Sequence, residues 1–177
     1  MINDKIAAKT SGKGSHGSNF NSSASTFPAA PIGKLSDVQN PQKYMTFRYA
    51  NRHATKIQEI QLFKNLQELD ISGNQLQEQV KELSYLNFLK RLNLSNNKIN
   101  EPWVIPQSIE ILNISQNFIK IMPEEVCKKL KNISTIDISS NKLESLENFQ
   151  YMRRIKRLLA KNNFVRELTH IEGVQNI

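Results

Sequence analysis

The stretch Leu89-Lys90-Arg91-Leu92-Asn93-Leu94-Ser95-Asn96-Asn97-Lys98-Ile99 decides how this chain folds. Apolar residues stand at 89, 92, 94 and 99, and a single asparagine, Asn97, holds a fixed place among them. Upstream the phrase reads Leu66-Leu69-Ile71-Asn74-Leu76. Downstream it reads Ile109-Leu112-Ile114-Asn117-Ile119, then Ile133-Ile136-Ile138-Asn141-Leu143, then Ile155-Leu158-Ala160-Asn163-Val165. Successive asparagines fall 23, 20, 24 and 22 residues apart. Five copies in phase at that period are the mark of a stacked-repeat architecture.

Within each copy the centre alternates. Arg91, Asn93 and Ser95 take one face while Leu92 and Leu94 take the other, which is the period of a strand with one buried side. The asparagine closes the strand, because its amide offers both a donor and acceptors to a backbone leaving its ladder. Asn74, Asn97, Asn117, Asn141 and Asn163 are therefore expected to form a structural ladder. The phrase is that of a leucine-rich repeat. No single repeat can seal its own leucines, so neighbours must stack around a shared core. The expected fold is an α/β solenoid: a leucine-rich repeat arc with a parallel β-sheet on its concave face.

The segments between strands predict the convex side. Leu146-Phe149-Met152-Ile155, Leu168-Ile171-Val174-Ile177 and Ile57-Ile60-Phe63-Leu66 place an apolar residue every third position, a spacing that suits 3₁₀ or irregular returns. One return differs. Pro123 can open a helix, Glu124 and Glu125 occupy its first turn, and Lys128, Lys129 and Lys131 fall towards its end. One short helix is expected near 123–131. Glu101-Pro102-Trp103-Val104-Ile105-Pro106, in the shortest repeat, predicts an extended return.

The 177 residues divide unevenly. Residues 1–42 hold four of the six glycines, many serines and few large apolar side chains. Such a segment buries too little surface to offset its ordering entropy, so it reads as a disordered or partner-bound tail. Residues 43–65 read as an N-terminal cap or degenerate repeat, with Thr55-Lys56-Ile57 standing in for Asn-x-Ile. Residues 66–177 carry the five repeats and stop within a sixth, an edge expected to be covered by a partner or by further chain. The single cysteine, Cys127, precludes an intramolecular disulfide and hence disulfide caps. With no signal peptide and no apolar run near ~18 residues, the expected compartment is intracellular (cytoplasmic, cytoskeletal, ciliary or nuclear), with no membrane partner.

Candidate chemistry is thin. His16, His53 and His170 lack cysteine or carboxylate companions at metal-ligand spacing, so no metal is expected. Gly12-Lys13-Gly14-Ser15 lacks the full glycine spacing and preceding strand of a phosphate loop. Lys128 beside Cys127 raises the question of an activated thiol, but the helix pattern makes Cys127 a half-buried structural residue. Asp70 and Asp137 occupy equivalent outward positions separated by two strands at roughly 4.8 Å each, too far for an acid/base pair. Neither catalytic residues nor a cofactor are expected.

The outward columns are where a partner would land. They run Glu68, Arg91, Ile111, Thr135, Arg157; then Asp70, Asn93, Asn113, Asp137, Leu159; then Ser72, Ser95, Ser115, Ser139, Lys161. A further column reads Gln75, Lys98, Phe118, Lys142, Phe164. Residues 151–166 contain Arg153, Arg154, Lys156, Arg157, Lys161 and Arg166 with no acid, within a chain of net charge +8. Such a patch attracts an acidic protein surface or a phosphate backbone. The candidate partner-binding residues are Arg91, Phe118, Arg153, Arg154, Arg157, Leu159, Lys161 and Phe164. Nucleic acid is the lesser alternative, since stacking aromatics do not interleave the basic run.

The phrases Leu-Asp-Ile-Ser-Gly-Asn (69–74), Leu-Asn-Leu-Ser-Asn-Asn (92–97) and Ile-Asp-Ile-Ser-Ser-Asn (136–141) closely resemble intracellular leucine-rich repeat proteins. The period-3 returns resemble the class that includes protein phosphatase 1 regulatory subunits, axonemal dynein light chain and a spliceosomal ribonucleoprotein. The resemblance covers about residues 55–177. It implies a non-enzymatic protein-interaction scaffold within a larger assembly, with a lean towards microtubules or cilia. A ribonucleoprotein component and a regulatory subunit of an enzyme such as a phosphatase are the alternatives it leaves open.

Overall fold

The computed structural model describes residues 35–77, 80–101 and 104–166. The features read from residues 1–34, from Pro102-Trp103 and from 167–177 lie outside the described residues. They include His16, His170, the glycine-lysine run and the unfinished sixth repeat.

Six short strands form one parallel sheet: β1 (Thr46–Arg48), β2 (Glu68–Asp70), β3 (Arg91–Asn93), β4 (Ile111–Asn113), β5 (Thr135–Asp137) and β6 (Arg157–Leu159). They lie side by side in chain order, so each coil pairs only with its neighbours. The register runs unbroken through Phe47, Leu69, Leu92, Leu112, Ile136 and Leu158. These residues, with Leu66, Leu89, Ile109, Ile133 and Ile155 before them, stack into one continuous buried core. The fold is a leucine-rich repeat solenoid with few helices and mostly 3₁₀ returns.

Each asparagine joins two coils. Asn117 donates from Nδ2 to the carbonyls of Leu94, in the preceding coil, and Ile114, in its own, both at 3.1 Å. Its Oδ1 accepts the Ile99 N–H at 3.0 Å. Asn74, Asn97, Asn141 and Asn163 repeat this pattern, and all five are buried. The residue before each one takes a left-handed backbone: Gly73, Asn96, Gln116, Ser140 and Asn162, with Asn51 in the first coil. Its N–H continues the inter-coil ladder, as from Gln116 to Ser139 O at 2.9 Å.

That geometry corrects the N-terminal repeat. Asn74 Oδ1 accepts from the N–H groups of Arg52 and Ala54 at 3.0 and 3.1 Å. The register Phe47↔Leu69 likewise places Arg52 opposite Asn74. Arg52-His53-Ala54, rather than Thr55-Lys56-Ile57, therefore occupies the Asn-x-Leu place, and Arg52 supplies no ladder amide. Packing also begins before residue 42. Leu35 is buried in the core, and 3₁₀ turns span Leu35–Asp37 and Pro41–Lys43. An aromatic plug closes this end: the Phe47 and Phe63 rings lie 4.6 Å apart, with Tyr44 against both and Tyr49 stacked on Phe47. Offset and edge-on ring pairs of this kind add stabilisation beyond their buried area.

The returns follow their spacing. Ile60–Leu62 and Glu147–Tyr151 are 3₁₀ turns that bury Ile60 and Phe149 respectively. A further run at the same spacing, Val80-Leu83-Leu86-Leu89, underlies the 3₁₀ turn Lys81–Tyr85. The helix α1 spans Glu124–Lys129, with Pro123 at its N-cap. It rests against the Glu147–Tyr151 turn, where Lys128 Nζ lies 4.8 Å from the Tyr151 ring centroid.

Candidate protein-binding surface

Each coil offers three outward zones, set by chain position around the strand. Residues just before the strand form a leading edge, alternate strand residues form the strand face, and those after the ladder asparagine form a trailing edge. The eight candidate binding residues are divided among all three.

Arg153 and Arg154 lie on the leading edge, both exposed, with Lys156 exposed beside them. Arg154 Nη1 donates to Asn132 Oδ1 at 3.2 Å, which ties its guanidinium to the preceding coil. Arg157 starts β6 on the strand face, followed by half-buried Leu159 and exposed Lys161. Phe118 and Phe164 stand on the trailing edge, 45% and 63% exposed. At about 3.3 Å per residue, the run from Arg157 to Lys161 puts roughly 13 Å of strand face between the two edges. Arg153 and Arg154 thus lie on a different edge from the two phenylalanines, while Arg157 and Lys161 occupy the strand face between them.

Charge along the strand face changes from one end to the other. In the early coils opposite charges meet across strands: Arg48 Nε lies 3.1 Å from Asp70 Oδ2, and Arg91 Nε lies 3.4 Å from Glu68 Oε1. Arg91 is therefore partly neutralised where it stands. The last described coil carries five basic side chains between 153 and 161 and no acid. Exposed ion pairs contribute little to stability, so the main consequence of this gradient is a local positive field.

The middle of the strand face is less open than its outward alternation predicts. Asn93, Asn113 and Ser115 are buried. Asp70, Asn93, Asn113 and Asp137 each accept from the backbone N–H two residues on, at 3.0, 3.1, 3.0 and 3.0 Å. These turns form a second capping column, built because short Asx side chains reach the adjacent backbone. Asp70 and Asp137 thus serve as strand caps, and Leu159 interrupts the column in the last described coil.

Cys127 is fully buried in α1 rather than half-buried. Burial in apolar surroundings pushes its thiol up to about 12, and Glu125 and Glu124 add to the rise. The neighbouring Lys128 spends its charge on Glu124, whose carboxyl it holds below the usual range through a hydrogen bond and charge attraction. The activated-thiol alternative is thereby removed. Among the described residues no three His, Cys, Asp or Glu side chains gather as a metal site would require, and no helix is long and apolar enough to cross a membrane.

The family model for Leucine Rich Repeat matches residues 65–86 and 88–110. Osteomodulin of Rattus norvegicus is 36% identical over 86 residues, covering 46% of this chain and 20% of that protein. Osteomodulin of Bos taurus is 34% identical over the same length, with the same coverage. The match thus spans about a fifth of these relatives. Among solved structures, an internalin from Listeria monocytogenes superposes with a TM-score of 0.64 at 18% identity, over 76% of this chain and 41% of its own. A leucine-rich repeat protein of Leptospira interrogans gives 0.65 at 25% identity, over 77% and 36%. A Shigella effector leucine-rich repeat domain gives 0.59 at 25%, over 72% and 53%. The shared feature is the solenoid, a module that generally binds proteins and is typically non-catalytic.

Proposed function

We propose that this chain is a non-enzymatic protein-binding scaffold, a subunit of a larger intracellular assembly, whose last described coil holds an acidic surface of its partner. The observation that carries this reading is the concentration of Arg153, Arg154, Lys156, Arg157 and Lys161 on one coil without an acid among residues 151–166. With no acid in that stretch, the coil carries a local positive field. A negatively charged partner would be drawn to it from solution and oriented on arrival. The intracellular placement rests on Cys127 being the sole cysteine, and a microtubule or ciliary assembly on the resemblance described above.

The test is copurification followed by mass spectrometry on wild type and on a variant carrying Arg153→Glu, Arg154→Glu and Arg157→Glu. Loss of the same proteins from the variant, at an unchanged melting temperature, is expected. Equal recovery would overturn the basic-coil part of the proposal. Filter binding to RNA at two salt concentrations separates the ribonucleoprotein alternative, because phosphate binding falls steeply as salt rises.

A further inference from the structure

The trailing edge carries a row of exposed side chains outside the core and the asparagine ladder. Immediately after the ladder asparagines, successive coils present Lys98, Phe118, Lys142 and Phe164 in one row. Their backbones are tied coil to coil: Lys98 N–H to Leu76 O at 2.9 Å, Phe118 to Ile99 at 2.7 Å, Lys142 to Ile119 at 2.9 Å and Phe164 to Leu143 at 2.8 Å. The side chains therefore project from a fixed frame. Lys142 Nζ lies 4.9 Å from the Phe118 ring centroid, so cation and ring already form a pair. Two residues further along each coil stand Asn100, Lys120, Glu144 and Arg166, all exposed. Across both rows Glu144 is the single acid against Lys98, Lys120, Lys142 and Arg166.

Isolated exposed apolar residues are common on soluble proteins. Two phenylalanines held in one row with a lysine between them are a more specific arrangement. They are two coils apart, which at a strand spacing of about 4.8 Å separates their backbones by roughly 9.6 Å. A polyproline II chain has three residues per turn and rises ~3.1 Å per residue, so side chains three apart share a face at about 9.3 Å. Such a chain laid along the row would place successive apolar residues over Phe118 and Phe164. Its intervening side chains would then pass Lys142, with Lys98, Lys120 and Arg166 flanking the two rings.

We propose that this trailing edge docks an acidic polyproline II segment of a partner protein, with a proline or other apolar residue at every third position. Aromatic grooves suit that conformation because it is already extended and loses little entropy on binding. The excess of cations over the lone Glu144 supplies the complementarity to acidic residues. The site lies across the strand face from Arg153 and Arg154, so charge reversal there and substitution of the phenylalanines test the two proposals separately.

The test selects a displayed random peptide library, about twelve residues long to give four turns, on the full 177-residue chain. Selected peptides are then made with a fluorescent label and measured by anisotropy. Enriched sequences are expected to be acidic with apolar residues three apart. The double variant Phe118→Ala and Phe164→Ala should weaken them by about tenfold or more at an unchanged melting temperature. Lys142→Glu should also weaken them, and it covers the case in which the double variant misfolds. The triple reversal at Arg153, Arg154 and Arg157 should leave this binding unaltered. Four results would overturn the proposal: no enrichment, enriched peptides without acids, equal binding to Lys142→Glu and wild type, or tighter binding of labelled oligouridylate at this edge.

Discussion

Asn117 satisfies backbone groups in two coils at once, so its loss reaches beyond one side chain. Replacing it with alanine leaves the Ile99 N–H and the carbonyls of Leu94 and Ile114 short of partners in a buried place. Each unmet group costs about 1–3 kcal/mol. Asn117→Ala should therefore lower the urea midpoint by far more than Lys98→Ala on the exposed trailing edge; a similar shift for both would contradict the coil-joining role. The residue before it makes the opposite prediction. Gln116 sits at φ 55°, exposed, in a conformation that glycine and asparagine adopt with least strain. Gln116→Asn should recover part of the roughly 1–2 kcal/mol that this conformation costs, read as a higher urea midpoint at unchanged slope. Gly73 gives the converse case at φ 65°. Alanine there would be strained by the left-handed backbone, and its Cβ would also displace the Asn51 side chain, so Gly73→Ala should destabilise.

At the scale of elements, α1 offers a prediction in which the sign is set by burial. The Cys127 thiol stays protonated in the fold up to about 12, whereas in the unfolded chain it ionises near 9.0. Between those values the unfolded state holds fewer protons, so stability declines as pH climbs and is undiminished below pH 9. The stability advantage of wild type over Cys127→Ala should shrink by about 1.4 kcal/mol in all between pH 8 and pH 10, measured by urea unfolding at pH 8, 9 and 10. A constant difference would mean the thiol is not desolvated. Element by element, legibility followed local periodicity. Alternation around Leu92 and Leu94 specified β3, and Pro123 with Glu124 and Glu125 specified α1. Val80-Leu83-Leu86-Leu89 was equally legible as a period-3 return. What local pattern lacked was register: Arg52-His53-Ala54 has no asparagine and no large apolar residue, so only its bonds to Asn74 identify it. The same limit applied to the surface. The columns placed Phe118 and Phe164 together, but a linear basic run could not reveal that Arg153 and Arg154 face a different edge from Phe164. Nor could alternation show that Asn93 and Asn113 fold back onto their own backbone.

At the scale of the whole array, each described coil pairs its strand only with its neighbours, and this governs how damage spreads. Stability in such arrays is a sum of coil and interface contributions, so a coil's position determines who feels its loss. β1 has one strand neighbour among the described residues, whereas β4 has two. Phe47 and Leu112 occupy the same register position and are both fully buried. Phe47→Ala should cost about 3–5 kcal/mol and Leu112→Ala about 2–5 kcal/mol, so the two are comparable locally. Their reach should differ. Removing Phe47 breaks its contacts with Phe63, Tyr44 and Tyr49 and opens the aromatic plug, while β4 to β6 retain every contact they have. Removing Leu112 weakens both interfaces of a central coil and uncouples the stack on either side. Native-state hydrogen exchange distinguishes these outcomes because it reports opening segment by segment. In Phe47→Ala, protection should fall at the Tyr49, Asn51 and Ile71 amides and persist at Ile138 and Ser140. In Leu112→Ala, it should fall on both sides of β4. Uniform loss throughout in both variants would show one all-or-none unit, in which closing the first coil is as decisive for the last as for its neighbour.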